Sequence, residues 1–366
     1  MIVPFNYLPF EFKNTDKYIK LWKKIITTSD FTIGKTVIEF EKKFANYIGA
    51  KYCISTNSGT DALILSLKSL GITKDDEVIT VCNTFYATVG AIVSCGAKPV
   101  LVDCDSRYQI NCEKIVEKIT PKTKVIIPVH WAGASPDIEK IIKIAKKYNL
   151  KVVEDACMGI GGKINNKSPG TFGIVNAFSM HPLKSLNVMG DGGMIVTNNF
   201  KIYNWLLKYR NHGMIDRNRI DFWGVNTRLQ PFQSVVALER LKNVNKIINK
   251  RNKNANILDK ELGKLHPNIT IPKRIKNNKE TFVLYMILTK KRNQLLSYLN
   301  KKKIEAKVHY PISLNNQKAS KIYNYRNKDF LISNSQAKNL ITLPVHQYLN
   351  KKHLNYMIKC IKDFFI

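Results

Sequence analysis

The segment SMHPLKSLNVMGDGG (179–193) places Ser179, His181 and Lys184 close together, ahead of a glycine-rich turn. The residues on either side of it, AFS and MIVTNN, are typical of buried β-strands. A lysine at such a strand–loop junction can be desolvated, which lowers the pKa of its amine and makes the amine nucleophilic. Lys184 is therefore a candidate to form a Schiff base with a carbonyl compound, including the cofactor pyridoxal 5'-phosphate.

That cofactor requires three further groups: a carboxylate at its pyridine nitrogen, donors for its phosphate and a flat side chain against its ring. In VVEDAC, Asp155 ends an apolar strand, where a carboxylate is costly to bury without a partner such as a protonated pyridine nitrogen. In TNSGTDAL, a Ser-Gly-Thr turn opens a helix, so backbone N–H groups and the Thr60 hydroxyl can bind a phosphate. Phe85 in NTFYAT is available to stack, and Ser179 can supply another hydroxyl.

Each of these residues alone also has an ordinary structural interpretation. Asp155 fits a helix cap, and SGTDAL is a common N-cap sequence. Phe85 fits a core position, His181 a structural histidine and Lys184 an exposed surface lysine. Their joint order and placement along the chain favour the cofactor site.

The apolar periodicity places the candidates at one edge of a sheet. Between residue 35 and about residue 200, β-branched strands alternate with amphipathic helices, which is typical of an α/β protein with a mostly parallel sheet covered on both faces. Ligands of such sheets bind at the carboxyl ends of the strands, where Thr60, Phe85, Asp155 and Ser179 fall. The predicted strands are KYCISTNSG, EVITV, PVLVDCD, TKVIIPVH and KVVEDAC, and the predicted helices are GKTVIEFEKKFANYIG, TDALILSLKSLG, FYATVGAIVSCG and DIEKIIKIAKKYN.

A different pattern begins with one long helix, predicted over QPFQSVVALERLKNVNKIINKRNKNANILDKELGKL with Pro231 in its first turn. After it, the strands TFVLYMILT and EAKVHYP and the helices RNQLLSYLNKKK and NKKHLNYMIKCIKDFF are typical of a small α+β unit. The sequence thus predicts a large cofactor-binding domain over residues 1–240 and a smaller C-terminal domain over residues 241–366.

Composition limits the function classes. The chain has 366 residues and a formal net charge of +32, but its lysines are scattered and no nucleic-acid motif accompanies them. The charge therefore favours anionic small ligands over nucleic acid. No apolar run reaches the roughly 18 residues of a transmembrane helix, and the first residues lack the layout of a signal peptide. The seven cysteines include no CxxC pair, so we expect reduced thiols, no metal site and a cytoplasmic protein.

Taken in order, the motifs resemble the DegT/DnrJ/EryC1/StrS family of pyridoxal-phosphate-dependent sugar aminotransferases over essentially the whole chain. The segments that carry the resemblance include TNSGTDAL, NTFYAT, VVEDAC, FSMHPLKSLNVMGDGG, GVNTRLQPFQ and LPVHQ. The resemblance implies the aspartate-aminotransferase-like fold (fold type I) and a homodimer with active sites at the subunit interface. It also implies L-glutamate as amino donor and a phosphorylated or nucleotide-linked keto-sugar as acceptor, for surface polysaccharides or other amino sugars.

The resemblance further implies a role for each matching residue. Lys184 would form the Schiff base, with Asp155 at the pyridine nitrogen, Phe85 against the ring and His181 as a further catalytic candidate. Four residues would bind phosphate: Gly59, Thr60, Ser179 and, reaching the cofactor of the neighbouring subunit, Asn226.

Two positions depart from the family pattern. Met158 stands near the phenolic oxygen of the cofactor, where the family usually has a glutamine, and a methionine cannot donate a hydrogen bond. Trp131 in PVHWAG replaces the commoner VHLYG and lies near the expected substrate entrance. Both departures leave open a small phosphorylated ketone as acceptor. The resemblance is also compatible with a sugar dehydratase, in which histidine replaces the lysine, and with a non-enzymatic regulator. The presence of Lys184 argues against both.

Overall fold

The structure is a computed structural model that describes residues 1–366. The strands are β1 (Tyr52–Thr56), β2 (Glu77–Val81), β3 (Lys98–Val102), β4 (Thr123–Ile127), β5 (Lys151–Val152), β6 (Lys163–Ile164), β7 (Val175–Ser179), β8 (Gly193–Thr197), β9 (Asn278–Lys279), β10 (Tyr285–Leu288) and β11 (Leu340–Leu343). The helices are α1 (Leu8–Glu11), α2 (Thr15–Thr28), α3 (Lys35–Ile48), α4 (Gly59–Lys68), α5 (Tyr86–Ser94), α6 (Ile138–Lys147), α7 (Phe200–Tyr209), α8 (Pro231–Leu241), α9 (Val244–Leu262), α10 (Arg292–Lys301), α11 (Leu331–Asn339) and α12 (Lys351–Phe365).

A four-stranded sheet and a three-stranded sheet form one continuous layer in the order β3-β2-β4-β5-β7-β8-β1. Strands β2 to β5 pair in parallel, whereas β8 runs antiparallel to both β1 and β7. Parallel bridges from Asp155 to Val129 and to Ala177 join the two halves. Only β8 opposes the other strands, so the prediction of a mostly parallel sheet is confirmed.

Helices cover both faces of this layer. Ile79 and Ile126 face one cluster of buried side chains together with α6, whereas Val78, Val125 and Ile127 face another with α4, α5 and α7. Adjacent residues of one strand therefore enter opposite cores. That arrangement explains why Val78 and Ile79 in β2, and the residues 125–127 in β4, form continuous apolar runs instead of alternating with polar residues.

The C-terminal part packs around a smaller antiparallel pair, β10 and β11. Its core combines these strands with the second half of α9, α10 and α12. Val3 from the start of the chain belongs to the same core and forms a parallel bridge with Ile304. The division at residue 240 stays a prediction.

Three predicted elements differ from the structure. The single long helix after residue 230 is wrong: it is divided into α8 and α9, because α8 packs on the large-domain core, whereas α9 runs from that core into the C-terminal one. EAKVHYP contains no regular strand, and only Lys307 forms a bridge, to Thr342. In KVVEDAC only the first two residues form a strand, although Asp155 rejoins the sheet.

All seven cysteines are free, and all but Cys157 are buried. None of the helices is both long enough and apolar enough to cross a membrane.

Candidate active site

A cavity lies at the carboxyl ends of the sheet strands, where they meet the C-terminal unit. It contains about 1240 Å³ of space, including its open mouth. Its lining is mostly apolar with a small number of polar and charged side chains, which is typical of a site for a small molecule. Of the predicted site residues, those that line the cavity are Gly59, Thr60, Phe85, Asp155, Met158, Ser179, His181 and Lys184.

Lys184 lies on the turn that follows β7, and its backbone N–H donates to the His181 carbonyl (2.9 Å). Its side chain reaches the cavity half-buried, and its Nζ has no hydrogen-bond or ion-pair partner in the chain. Burial lowers the pKa of Lys184 below the ordinary lysine value, against an opposing effect of Cys157 and Asp155. The amine is thus desolvated and free to react.

Asp155 is 5% exposed and is held by two donors. The Thr88 hydroxyl donates to Oδ2 (2.7 Å), and the backbone N–H of Cys157 donates to Oδ1 (3.2 Å). Thr84 adds a hydroxyl contact to Thr88 (3.0 Å). No cationic side chain pairs with this carboxylate. A buried carboxylate with neutral donors on both oxygens is a fitting partner for a protonated ring nitrogen.

The N-terminus of α4 provides the predicted anion site. Ser58 caps the helix by accepting from the Asp61 N–H (3.0 Å), and the first N–H groups of a helix have no acceptor within it. A side chain at Gly59 would collide with the site, because its Cβ would lie 2.7 Å from the Ser179 Cβ. The backbone of the turn and the Ser179 hydroxyl therefore approach each other closely enough to hold one phosphate.

Aromatic rings form one wall of the cavity. Phe85 is 46% exposed, and its ring centroid lies 6.0 Å from that of Tyr310. Trp131 lies 5.9 Å from the same tyrosine but is only 2% exposed, so it supports the wall from behind and does not stand at an open entrance.

Two predicted residues contribute in other ways. His181 is exposed as a whole residue, but partial burial of its ring, together with the charge of nearby Lys184, lowers its pKa. Met158 is half-buried, and its carbonyl accepts from the Thr281 hydroxyl (2.6 Å), which leaves only its apolar side chain toward the cavity.

Asn226 does not line the cavity of its own chain. It is exposed, and its backbone forms an antiparallel bridge with Asn211. Its predicted reach into a neighbouring subunit stays a prediction.

Several cavity residues were not predicted: Tyr7, Arg251, His309, Tyr310 and His346. His346 lies in LPVHQ, and His309 and Tyr310 lie in VHYP, so polar residues next to proline were the available signal. Arg251 is one of many basic residues in a helix, and its sequence neighbourhood carries no such signal.

A half-buried lysine without a partner and a buried carboxylate at the carboxyl edge of a mostly parallel sheet are typical of a pyridoxal-phosphate-dependent enzyme of fold type I. The chain belongs to the DegT/DnrJ/EryC1/StrS aminotransferase family, whose model matches residues 13–362. It is a pyridoxal-phosphate-dependent aminotransferase, as predicted.

Two transaminases of known sugar substrates are similar in sequence to this chain over nearly its whole length. The chain is 34% identical over 342 residues to the dTDP-3-amino-3,6-dideoxy-alpha-D-galactopyranose transaminase of Aneurinibacillus thermoaerophilus, covering 93% of each. It is 34% identical over 332 residues to the UDP-2-acetamido-2-deoxy-3-oxo-D-glucuronate aminotransferase of Pseudomonas aeruginosa, covering 90% of each.

Solved structures confirm the fold. The structure of DesV from S. venezuelae has a TM-score of 0.96 at 27% identity, covering 99% of this chain and 98% of that one. The Bacillus subtilis protein NtdA, solved with bound pyridoxamine phosphate, has a TM-score of 0.92 at 28% identity, covering 99% of this chain and 85% of that one.

Proposed function

We propose that this aminotransferase moves the amino group of L-glutamate to the keto group of a nucleotide-linked sugar, for surface polysaccharides or other amino sugars. The observation that carries the proposal is the agreement among relatives whose names specify dTDP-, UDP- and GDP-linked sugars. The third of these is the GDP-perosamine synthase of Caulobacter vibrioides, 31% identical over 351 residues and covering 93% of each chain.

The cavity residues fit the cofactor and divide its binding among them. Bound pyridoxal phosphate supplies an electron-withdrawing ring that accepts an amino group and passes it on. The backbone at Gly59, with Thr60 and Ser179, would hold the phosphate, and Phe85 would stack on the ring. Asp155, oriented by Thr88, would keep a negative charge at the ring nitrogen.

Lys184 would carry the proton transfers. Because burial lowers its pKa, a larger fraction of its amine is neutral at physiological pH than in an ordinary lysine, so Nζ can both accept and return a proton. Its lack of any partner in the chain leaves the amine mobile between the reacting positions.

The remaining features suit a charged sugar substrate. The aromatic wall of Phe85 and Tyr310, whose ring centroids lie 6.0 Å apart, offers flat apolar surfaces to a sugar ring or a base. The net charge of +32 attracts an anionic diphosphate.

A panel of keto-sugar nucleotides and ketose phosphates, each incubated with ¹⁵N-labelled L-glutamate, tests the proposal. We expect a labelled amino sugar from at least one nucleotide-linked ketone, detected by mass spectrometry. Transfer to ketose phosphates alone would replace the proposal with the second candidate.

That second candidate is transamination of a ketose phosphate. The chain is 36% identical over 223 residues to the 3-oxo-glucose-6-phosphate:glutamate aminotransferase of Bacillus subtilis, but the match covers only 60% of this chain and 50% of that protein. The partial coverage is why we rank this acceptor second.

A further inference from the structure

Arg251 is a buried cation in the cavity that has no partner of opposite charge. It lies on α9, is 1% exposed and lines the cavity. Its Nε donates to the Gln347 side-chain oxygen (3.0 Å) and its Nη1 to the Phe282 carbonyl (3.4 Å). Its Nη2 is buried without any hydrogen-bond partner. A guanidinium held only by neutral acceptors is incompletely satisfied.

The acidic side chain that Arg251 reaches through Gln347 is already neutralised by another residue. Glu11 pairs with Arg240, and Gln347 lies between Glu11 and Arg251, with its Nε2 3.5 Å from the Glu11 carboxylate. Arg251 itself forms no ion pair. The missing anion therefore has to come from the cavity that the side chain lines.

Arg251 lies in an enclosed part of the cavity, close to the loop that carries Lys184. Its guanidinium lies 5.2 Å from the centre of the Tyr7 ring, and the Tyr7 hydroxyl donates to the Lys184 carbonyl (3.2 Å). One aromatic side chain thus separates the arginine from the backbone of the reactive lysine. Phe85, by contrast, also lines the cavity but is 46% exposed, so it lies in a more open part.

The other candidate cations at this end are neutral near pH 7. Burial lowers the pKa of both His309 and His346 to about 4. Arg251 is therefore the permanent positive charge that the cavity presents beside Lys184.

We infer that Arg251 binds a carboxylate of the amino donor during the glutamate half of the reaction. The planar guanidinium matches a carboxylate with two parallel hydrogen bonds, and Nη2 is free to make one of them. The enclosed position suits a small amino acid, whereas a nucleotide-linked sugar needs the open mouth. The inference rests on the proposed use of glutamate.

The two halves of the reaction separate this role from a structural one. Absorbance follows the conversion of the bound cofactor by glutamate. In Arg251→Gln, we expect the glutamate concentration that gives half-maximal conversion to rise about 30-fold or more. The reaction of the pyridoxamine-phosphate form with the acceptor should change less than about twofold. Arg251→Lys keeps the positive charge but loses the two parallel N–H donors of the guanidinium. Its glutamate concentration for half-maximal conversion should lie between those of the wild type and Arg251→Gln. Lys253→Gln, an exposed residue of the same helix, is the control for net charge.

A binding measurement gives a readout without catalysis. Glutarate, which is glutamate without its amine, should raise the thermal unfolding temperature of the wild-type and Lys253→Gln proteins but not that of Arg251→Gln. Equal losses in both half-reactions, a loss confined to the acceptor half, or unchanged glutarate binding would each overturn the inference. Because the glutamate half-reaction needs no keto-sugar, its outcome for Arg251→Gln does not depend on which sugar the enzyme aminates. If Arg251→Gln fails to fold, Arg251→Lys decides by the same comparison.

Discussion

Lys184 and Asp155 share one cavity but do not form an ion pair. The two side chains differ in the hydrogen-bond partners that the chain provides for them. Asp155 is oriented by the Thr88 hydroxyl and the Cys157 N–H, whereas the amine of Lys184 has no partner. A fixed carboxylate and a mobile amine are what proton transfer on an electron-withdrawing ring requires, because only the amine has to move.

Asp155 is the residue whose charge we expect to matter most. Asp155→Asn keeps the shape but removes the charge, and transamination should fall about a thousandfold or more. Thr88→Val removes only the hydroxyl that orients the carboxylate, so we expect a loss of about 10- to 100-fold. Steady-state rates at saturating cofactor measure both effects.

The matched control is Thr80→Val. Thr80 is a buried threonine on β2 whose hydroxyl donates to the Ile127 carbonyl (2.9 Å), away from the cavity. Its activity per folded molecule should stay near that of the wild type. Near-normal turnover of Asp155→Asn would show that Asp155 serves only as a structural cap.

The residues that the sequence located share a property. Gly59, Asp155, Ser179 and Lys184 each lie in a motif where a strand ends and a turn begins, so local pattern alone places them at one edge of the sheet. Arg251 lies within a basic helix and reaches the cavity only because α9 crosses from one core to the other. No local pattern encodes that crossing.

At the scale of elements, the GDGG turn (190–193) packs directly against the N-terminus of α4. A Cβ at Gly193 would lie 2.5 Å from the Thr56 hydroxyl and still closer to the Ser58 carbonyl. Glycine at the start of β8 therefore lets that strand pack directly against the turn at Ser58, which we propose binds the phosphate. The motif that marks the family in the sequence thus has a packing reason.

Gly59 tests this close packing at the site itself. In Gly59→Ala, the new Cβ would lie 2.7 Å from the Ser179 Cβ and 3.1 Å from the Cys157 Sγ, so one wall of the phosphate site has to shift. We expect pyridoxal phosphate to bind the apoprotein about tenfold or more weakly, since overpacking costs about 1–3 kcal/mol. Absorbance titration of the apoprotein measures the affinity. Gly90→Ala in α5, with no atom within 4 Å of its new Cβ, should leave it unchanged.

His346 joins the first residues of the chain to the LPVHQ segment. Its Nε2 donates to the Pro4 carbonyl (2.9 Å) and its Nδ1 accepts from the Tyr348 N–H (3.3 Å), so the neutral ring is fully satisfied. Burial lowers its pKa to about 4 from the ordinary 6.5. Between these two values the unfolded chain binds the proton more tightly, so the stability contributed by His346 is lost as the pH falls from 6.5 toward 4.

Urea unfolding of the apoprotein at pH 7 and pH 5 measures this contribution. We expect the wild type to lose about 2 kcal/mol more than His346→Gln between the two pH values. A glutamine can keep one donor and one acceptor but does not titrate. The exposed His266, changed to glutamine, is the control. Equal pH dependence in wild type and His346→Gln would refute the role of His346.

At the scale of the whole molecule, the helices and strands before residue 200 were more predictable than those of the C-terminal part. Buried central strands and amphipathic helices carry strong periodicity, and β1 to β4 lie where the apolar runs are. VHYP has a similar apolar–polar pattern, but it forms no strand, and its His309 and Tyr310 line the cavity. A segment that supplies cavity residues can therefore carry a strand-like pattern without forming a strand.

The arrangement of two chains is the largest-scale expectation. Asn226 is exposed, lies outside the cavity of its own chain and precedes α8 in a segment rich in exposed apolar residues. Trp223 is 87% exposed and Val225 38%, which favours burial of this segment against another molecule. We therefore expect Asn226 to complete the phosphate site of a partner subunit.

Mixed dimers test that arrangement. Lys184→Ala lacks the reactive amine, and Asn226→Ala should bind the cofactor phosphate weakly, so each homodimer should have low activity. If Asn226 acts across the interface, a dimer of one subunit of each kind has one pocket with both changes and one intact pocket. Random pairing makes half of the dimers mixed, so unfolding and refolding the two variants together should restore about a quarter of wild-type activity. If Asn226 instead acts within its own chain, both pockets of the mixed dimer are defective, and activity stays at the level of the homodimers.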